Sequence, residues 1–161
     1  MPRVVPPLPM QTTDRTLEAP QAVRGVEMAR IEIVLHLQNV SLFRYCAAEE
    51  IVRLAGIASP AELAAGETLY RRDDPPRSLY CLVTGEVELS GPEAAAELRG
   101  PGSSFGVLDI LSGRRRQRTA RALRDVTVLA IAAEDFFDLL ANNIEIVKAL
   151  FRQVLDNKES R

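Results

Sequence analysis

A glycine, a short apolar segment and a cluster of arginines follow one another in FGVLDILSGRRRQRTA, Phe105 to Ala120. A glycine ahead of a single helical turn leaves backbone N–H groups unpaired at the start of that turn, and such groups hold anions, phosphate above all. Arginines a few residues further on can close over the same anion, because the planar guanidinium meets two oxygens at once. Taken alone, the same run would also serve as a solvated basic loop, as most charge runs do.

Other chemistries find no residues to carry them. The chain has one histidine, His36. Metal sites of the cupin kind need two or three histidines and a carboxylate around one ion, so no metal site is expected and His36 reads as a surface or partly packed side chain. It also has no identifiable Ser or Cys partner for nucleophilic catalysis, and the sequence reads as a non-enzyme. Cys46 and Cys81 show no metal or redox spacing and fit free thiols in a reducing cytoplasm. A formal net charge of −2 and a pI of about 5.5 give no global basic field for nucleic acid. The most apolar run, IEIVLHL, is interrupted by Glu32 and His36 and falls well short of the roughly eighteen residues of a membrane span.

The elements that must position the arginines follow from period and punctuation. With 161 residues, 47% of them apolar, the chain has the size of one compact domain. Four prolines in MPRVVPPLPM make residues 1–25 a flexible arm or linker, and 26–161 the domain. From Val26 to Asn39 the apolar residues predict one helix, with Met28, Ile31, Val34, Leu35 and Gln38 on a stripe that Ile33 and Leu37 widen. A second helix is expected with Ile51, Leu54, Ala55 and Ala58 on one face, ended by Ser59-Pro60. Residues 59–132 then break into short runs separated by Gly, Pro and Asp at about ten-residue intervals, the pattern of an antiparallel β-roll of jelly-roll type, with turns at Gly85 and at SGPE. After Ile131 helical period returns: Phe136, Leu139 and Leu140 form one stripe, and Ile144, Val147, Leu150, Phe151, Val154 and Leu155 another, divided at Asn142-Asn143. The fold class is thus α+β, a β-roll flanked by N-terminal helices (26–58) and C-terminal helices (133–161).

This arrangement resembles the cyclic-nucleotide-binding domain family over roughly Leu42 to Val154. Leu42-Phe43 looks like the family's opening motif, AGETLY like its first glycine turn, DPPRSLYCLVTGEVEL like its central strands, and GPGSSFG like the lead into its phosphate-binding cassette, residues 105–120 here. The resemblance implies a jelly-roll (double-stranded β-helix) fold and a ligand, cyclic AMP or cyclic GMP, lined by Phe105, Gly106, Val107, Leu108, Asp109, Arg116, Gln117 and Arg118. In the family the cassette begins F-G-E and ends R-x-A, with the arginine eleven positions after the phenylalanine; Arg116 takes that position.

The chain departs from the pattern at three places. Val107 stands where a glutamate accepts from the sugar 2′-hydroxyl, and a buried hydroxyl without its partner costs about 1–3 kcal/mol, or about one to two decades of affinity. Asp109 puts a carboxylate near the incoming phosphate, and Arg118 replaces a small residue. Binding of a cyclic nucleotide is therefore expected to be weak or absent. Two readings stay open. An ion pair of Asp109 with Arg116 or Arg118 would fit a degenerate domain kept for assembly, whereas a free cluster of Arg114, Arg115, Arg116 and Arg118 would fit a different small anion. The family use as a transcription factor needs a helix-turn-helix after the roll. Only about thirty residues follow Ile131, so DNA binding by this chain alone is not expected and the output lies in another domain or partner. The family's last helix carries the signal, and here its wide stripe implies a homodimer contact or packing on its own roll.

Overall fold

The structure, a computed structural model, describes residues 24–159. Two helices, α1 (Arg30–Gln38) and α2 (Ala48–Ala55), flank a 3-10 turn at Ser41–Phe43. Both helices open on a glutamate that reaches back over the first turn: Ala29 N–H donates to Glu32 Oε1 at 3.2 Å and Ala47 N–H to Glu50 Oε1 at 2.6 Å. These carboxylates satisfy donors that the first turn leaves over and complement the positive end of the helix dipole.

Among the described residues, nine strands make two antiparallel sheets. One has the order β1 (Arg24–Gly25), β2 (Ala58–Leu63), β9 (Val126–Ala132), β4 (Ser78–Thr84), β7 (Ser104–Phe105); the other has β3 (Thr68–Tyr70), β8 (Thr119–Ala122), β5 (Val87–Gly91), β6 (Ala94–Arg99). Strand alternation explains how one sheet serves two cores. On β4, Tyr80 and Leu82 face the inside of the roll, where they meet Leu69, Val87, Leu89, Phe105 and Val128. Leu79 and Cys81 face the helices, where they meet Leu37, Phe43, Leu54 and Phe136. Because both faces are covered, β4 and β9 read as nearly continuous apolar runs. Burial also pushes the Cys81 thiol up to about 12, and burial with the nearby Glu50 charge pushes Cys46 to about 11, which disfavours the reactive thiolate at both unpaired cysteines.

The segment inside the roll is α3 (Val107–Ser112), bracketed by Gly106 at φ 89° and Gly113 at φ 69°. Two helices follow β9, α4 (Ala133–Ala141) and α5 (Ile144–Glu159). The α+β roll, the Asn142-Asn143 break, the SGPE hairpin between β5 and β6 and the Gly85 turn all stand as the sequence predicts.

Four expectations need correction. Arg24 and Gly25 are not arm but strand, paired with Glu62 and Ala61; the rest of the predicted arm lies outside the described residues. Val26 N–H continues this edge by donating to Pro60 O, so α1 begins at Arg30, four residues later than its apolar period suggests. Its face is also rotated: Ile33, Val34 and Leu37 are buried, while Ile31 and Leu35 are exposed. Ser59-Pro60 does not merely end a helix; with Ala58 it lies within β2, where β1 borders only Ala61 and Glu62. On α5 the buried face is Ile146, Ala149, Leu150 and Gln153, so of the predicted stripe only Leu150 is buried, and Ile144, Phe151, Val154 and Leu155 are exposed. In each helix apolar residues are too many for period alone to choose the face.

Gly85 carries the crossing from β4 in one sheet to β5 in the other. Its φ is 96°, and an added Cβ would sit 2.5 Å from Asp125 O and 2.6 Å from Val126 Cγ1. Gly85→Ala is therefore expected to cost roughly 2–4 kcal/mol of stability from backbone strain and overlap. Urea unfolding checks this, and a change below about 1 kcal/mol would show that the crossing relaxes.

Candidate ligand-binding cassette

The cassette is held in place from below by the loop between β3 and β4. Arg116 N–H donates to Asp74 O and Asp73 N–H to Arg116 O, both at 2.8 Å. Arg115 Nη1 adds a bond to Asp73 O at 2.9 Å, with Asp73 itself at φ 76°. This clasp fixes the backbone at Arg116 and sends its side chain inward.

The Arg116 side chain is fully buried. Its Nη1 donates to Gly106 O at 3.0 Å and its Nη2 to Ser78 O at 2.5 Å. Its Cζ lies 3.9 Å from the centre of the Tyr70 ring, and Tyr70, Tyr80 and Phe105 pack ring against ring beside it. Asp109 Oδ2 stands 3.7 Å from Nη1. A buried guanidinium needs this many acceptors and a counter-charge, because unpaired burial of a charge is costly. Gly106 is required twice: for its left-handed φ, and because a Cβ there would meet Arg116 Nη1 at 2.7 Å.

Above this layer lies a cleft of about 400 Å³. Phe105, Gly106, Val107, Leu108, Asp109, Gln117 and Arg118 line it; Arg116, of the eight predicted residues, does not. Val107 brings a side chain with no hydrogen-bonding group to the cleft, and Leu108 is exposed at its rim. The free cluster of arginines, one of the two arrangements the sequence left open, is not formed. Arg116 is consumed by protein groups, Arg114 Nε donates to Ser112 Oγ, Arg115 is held by Asp73 O, and Arg118 pairs with Glu97 at 3.2 Å. Of the two ion pairs weighed for Asp109, the structure forms the one with Arg116.

Sequence reasoning missed part of the wall: Tyr70, Leu89, Glu97, Arg99 and Ser104. A signal existed for two of them. Glu97 and Arg99 lie two apart on β6, so they share a face, and Glu97↔Leu89 pairing puts that face beside the roll interior.

Burial raises the Asp109 carboxyl above the usual aspartate range, against the opposing charges of Arg116 and Arg114 and the Gln117 backbone N–H. A raised pKa in the fold means that Asp109's contribution to stability is full below its unfolded pKa and is lost as pH rises through its folded pKa. An NMR titration of the Asp109 carboxyl should find its midpoint above the usual range, and a midpoint below that range would show that Arg116 outweighs burial. Arg116→Ala should cost about 3–5 kcal/mol, since it strands Asp109 and two carbonyls; chemical denaturation measures this, and near-neutrality would mean that the guanidinium is not held.

Comparison with known proteins agrees with this architecture. The family model for the cyclic nucleotide-binding domain matches residues 60–143. The chain is 26% identical over 135 residues to a cyclic nucleotide-gated potassium channel of Rhizobium etli, covering 82% of this chain and 38% of the channel. It is 32% identical over 118 residues to an uncharacterized NTE family protein of Mycobacterium tuberculosis, covering 72% of this chain and 20% of that protein. These curated relatives are thus much longer than the chain. The crystal structure of a cyclic nucleotide-binding domain from Methylobacillus flagellatus superposes with a TM-score of 0.70 at 20% identity, over 86% of this chain and 83% of that one. With the roll, the glycine-bracketed α3 and the buried arginine in order, the chain belongs to the cyclic nucleotide-binding domain family.

Proposed function

We propose that this domain is a non-catalytic regulatory module whose cassette binds cyclic AMP and cyclic GMP weakly or not at all. The observation that carries the reading is the commitment of Arg116 to Gly106 O, Ser78 O and Asp109. A cyclic phosphate could engage this guanidinium only by displacing those acceptors, and Asp109 would repel it at short range. Val107 adds no acceptor for a 2′-hydroxyl. Regulation then acts on an output domain or partner, as expected of a chain that spans only a part of its relatives. The unpaired Cys46 and Cys81 favour a reducing compartment such as the cytoplasm. Among the described residues no helix is long and apolar enough to cross a membrane.

A second reading, assembly, has its own observation. The outer side of α5 presents Ile144, Phe151, Val154 and Leu155 in the open, opposite its packed face. A homodimer through this helix would cover them in a two-fold contact with Phe151, the largest apolar side chain of the set, near its centre.

Calorimetric titration tests the first reading. Dissociation constants for both nucleotides should lie well above the micromolar range, and a sub-micromolar value would overturn it. Val107→Glu with Asp109→Ala should raise affinity by about one to two decades, by restoring an acceptor for the hydroxyl and removing the internal competitor; no gain would place the obstruction elsewhere. Sedimentation tests the second. The wild type should be a dimer at tens of micromolar and Phe151→Glu a folded monomer, whereas a monomeric wild type sinks the dimer.

A further inference from the structure

The β6 side of the cleft carries an arrangement that the cassette does not account for. Arg99 Nη1 and Arg118 Nη1 converge on one oxygen, Oε1 of Glu97, at 2.9 and 3.2 Å. The two guanidinium groups come from different strands. Arg99 ends β6, while Arg118 leads into β8 and must cross β5 to reach Glu97. It crosses at Gly91, where an added Cβ would lie 3.4 Å from Arg118 Cγ and 3.2 Å from Gln117 O. The glycine thus leaves the groove along which Arg118 lies.

We propose that Arg99 and Arg118 form an anion site in this cleft for the dianionic phosphate of a non-cyclic phosphate monoester, with Glu97 as a built-in stand-in that the ligand displaces. The pair is about two-thirds covered, with side chains 32% and 28% exposed, whereas Glu97 is 45% exposed. The cations are therefore the more covered partners and the carboxylate the more exposed one. β6 is the edge of its sheet, and its residues from Ala94 to Leu98 are exposed, so Glu97 can swing into solvent without disturbing packing. Desolvation is the largest single influence and raises it, but the bonds and charges of Arg99 and Arg118 together hold the Glu97 carboxyl below the usual range, as expected of an oxygen shared by two guanidinium groups.

Charge selects the ligand class. With Glu97 moved aside, Arg99, Arg118 and Arg114 line the cleft, while Asp109 remains engaged with Arg116. Such a site matches a monoester, which carries close to two negative charges at neutral pH, better than a cyclic diester, which carries one. Leu89 and Val107 offer apolar surface to the remainder of the molecule, and about 400 Å³ is room for a small one.

This inference rests on the reading that Arg116 is withheld from ligands, and the experiment separates the two. Adenosine 5′-monophosphate, inorganic phosphate, cyclic AMP and adenosine are titrated into the full chain at fixed ionic strength and followed by amide chemical shifts. Adenosine 5′-monophosphate should bind in the high-micromolar to millimolar range, with shifts at Glu97, Arg99 and Arg118. Arg118→Ala and Arg99→Ala should each weaken it about tenfold, and Glu97→Ala should tighten it by a similar factor. Unchanged melting of the Glu97→Ala protein shows that the fold is kept. Inorganic phosphate binding at the same residues, more weakly, supports the dianion site with added contact from the nucleoside; equal binding of phosphate overturns the monoester assignment. Saturation by neither dianion at about 10 mM, in wild type and Glu97→Ala alike, overturns the inference and leaves the Arg116 reading intact. Tight cyclic AMP binding overturns that reading instead, whatever the dianions do.

Discussion

The buried guanidinium of Arg116 is the interaction on which the rest of this cassette depends. It ties together the start of β4 through Ser78, the glycine before α3, the first turn of α3 through Asp109, and the aromatic core of the roll through Tyr70. Its own backbone is clasped by Asp73 and Asp74. A charge with no exposure must have its hydrogen-bonding capacity met inside the protein. Here it is met by two carbonyls and a carboxylate, so the side chain acts as a strut between β4 and α3.

The proposed structural role of Arg116 accounts for the pattern of departures around it. Asp109 is incompatible with an incoming phosphate but compatible with a guanidinium that has no phosphate. In the proposed reading, Val107, which offers no side-chain acceptor, has no hydroxyl to receive. Arg118, no longer part of an arginine cluster, lies over Gly91 and pairs with Glu97. The cleft stands above the strut because the roll and the glycine-bracketed α3 keep its walls apart, with Glu97, Arg99 and Arg118 on its β6 side.

Much of this was legible in the residues themselves. The change from helical period to short punctuated runs and back located the roll, and Gly106 and Gly113 located α3, because glycine placement and alternation are local properties. The helix faces were not legible. α1 is rotated so that Ile31 and Leu35 lie outside, and α5 buries Ile146 and Gln153 where the stripe of Phe151 and Leu155 was expected; a helix with apolar residues on several sides takes its orientation from its neighbours. Within the cassette, the Asp109–Arg116 pair was one of two that the types allowed. Choosing between them required knowing that Glu97, far along the chain, would take Arg118. Pairing across the strands of a sheet is long-range, and no spacing records it.

The most direct test of the account is the NMR signature of the Arg116 guanidinium, observed in the free domain and with millimolar cyclic AMP. A side chain held by Gly106 O, Ser78 O and Asp109 should show slowly rotating, separately resolved Nη1 and Nη2 groups, and their signals should stay in place when the nucleotide is added. Averaged signals in the free domain that sharpen and shift with cyclic AMP would show Arg116 free to take a phosphate, and would contradict the account.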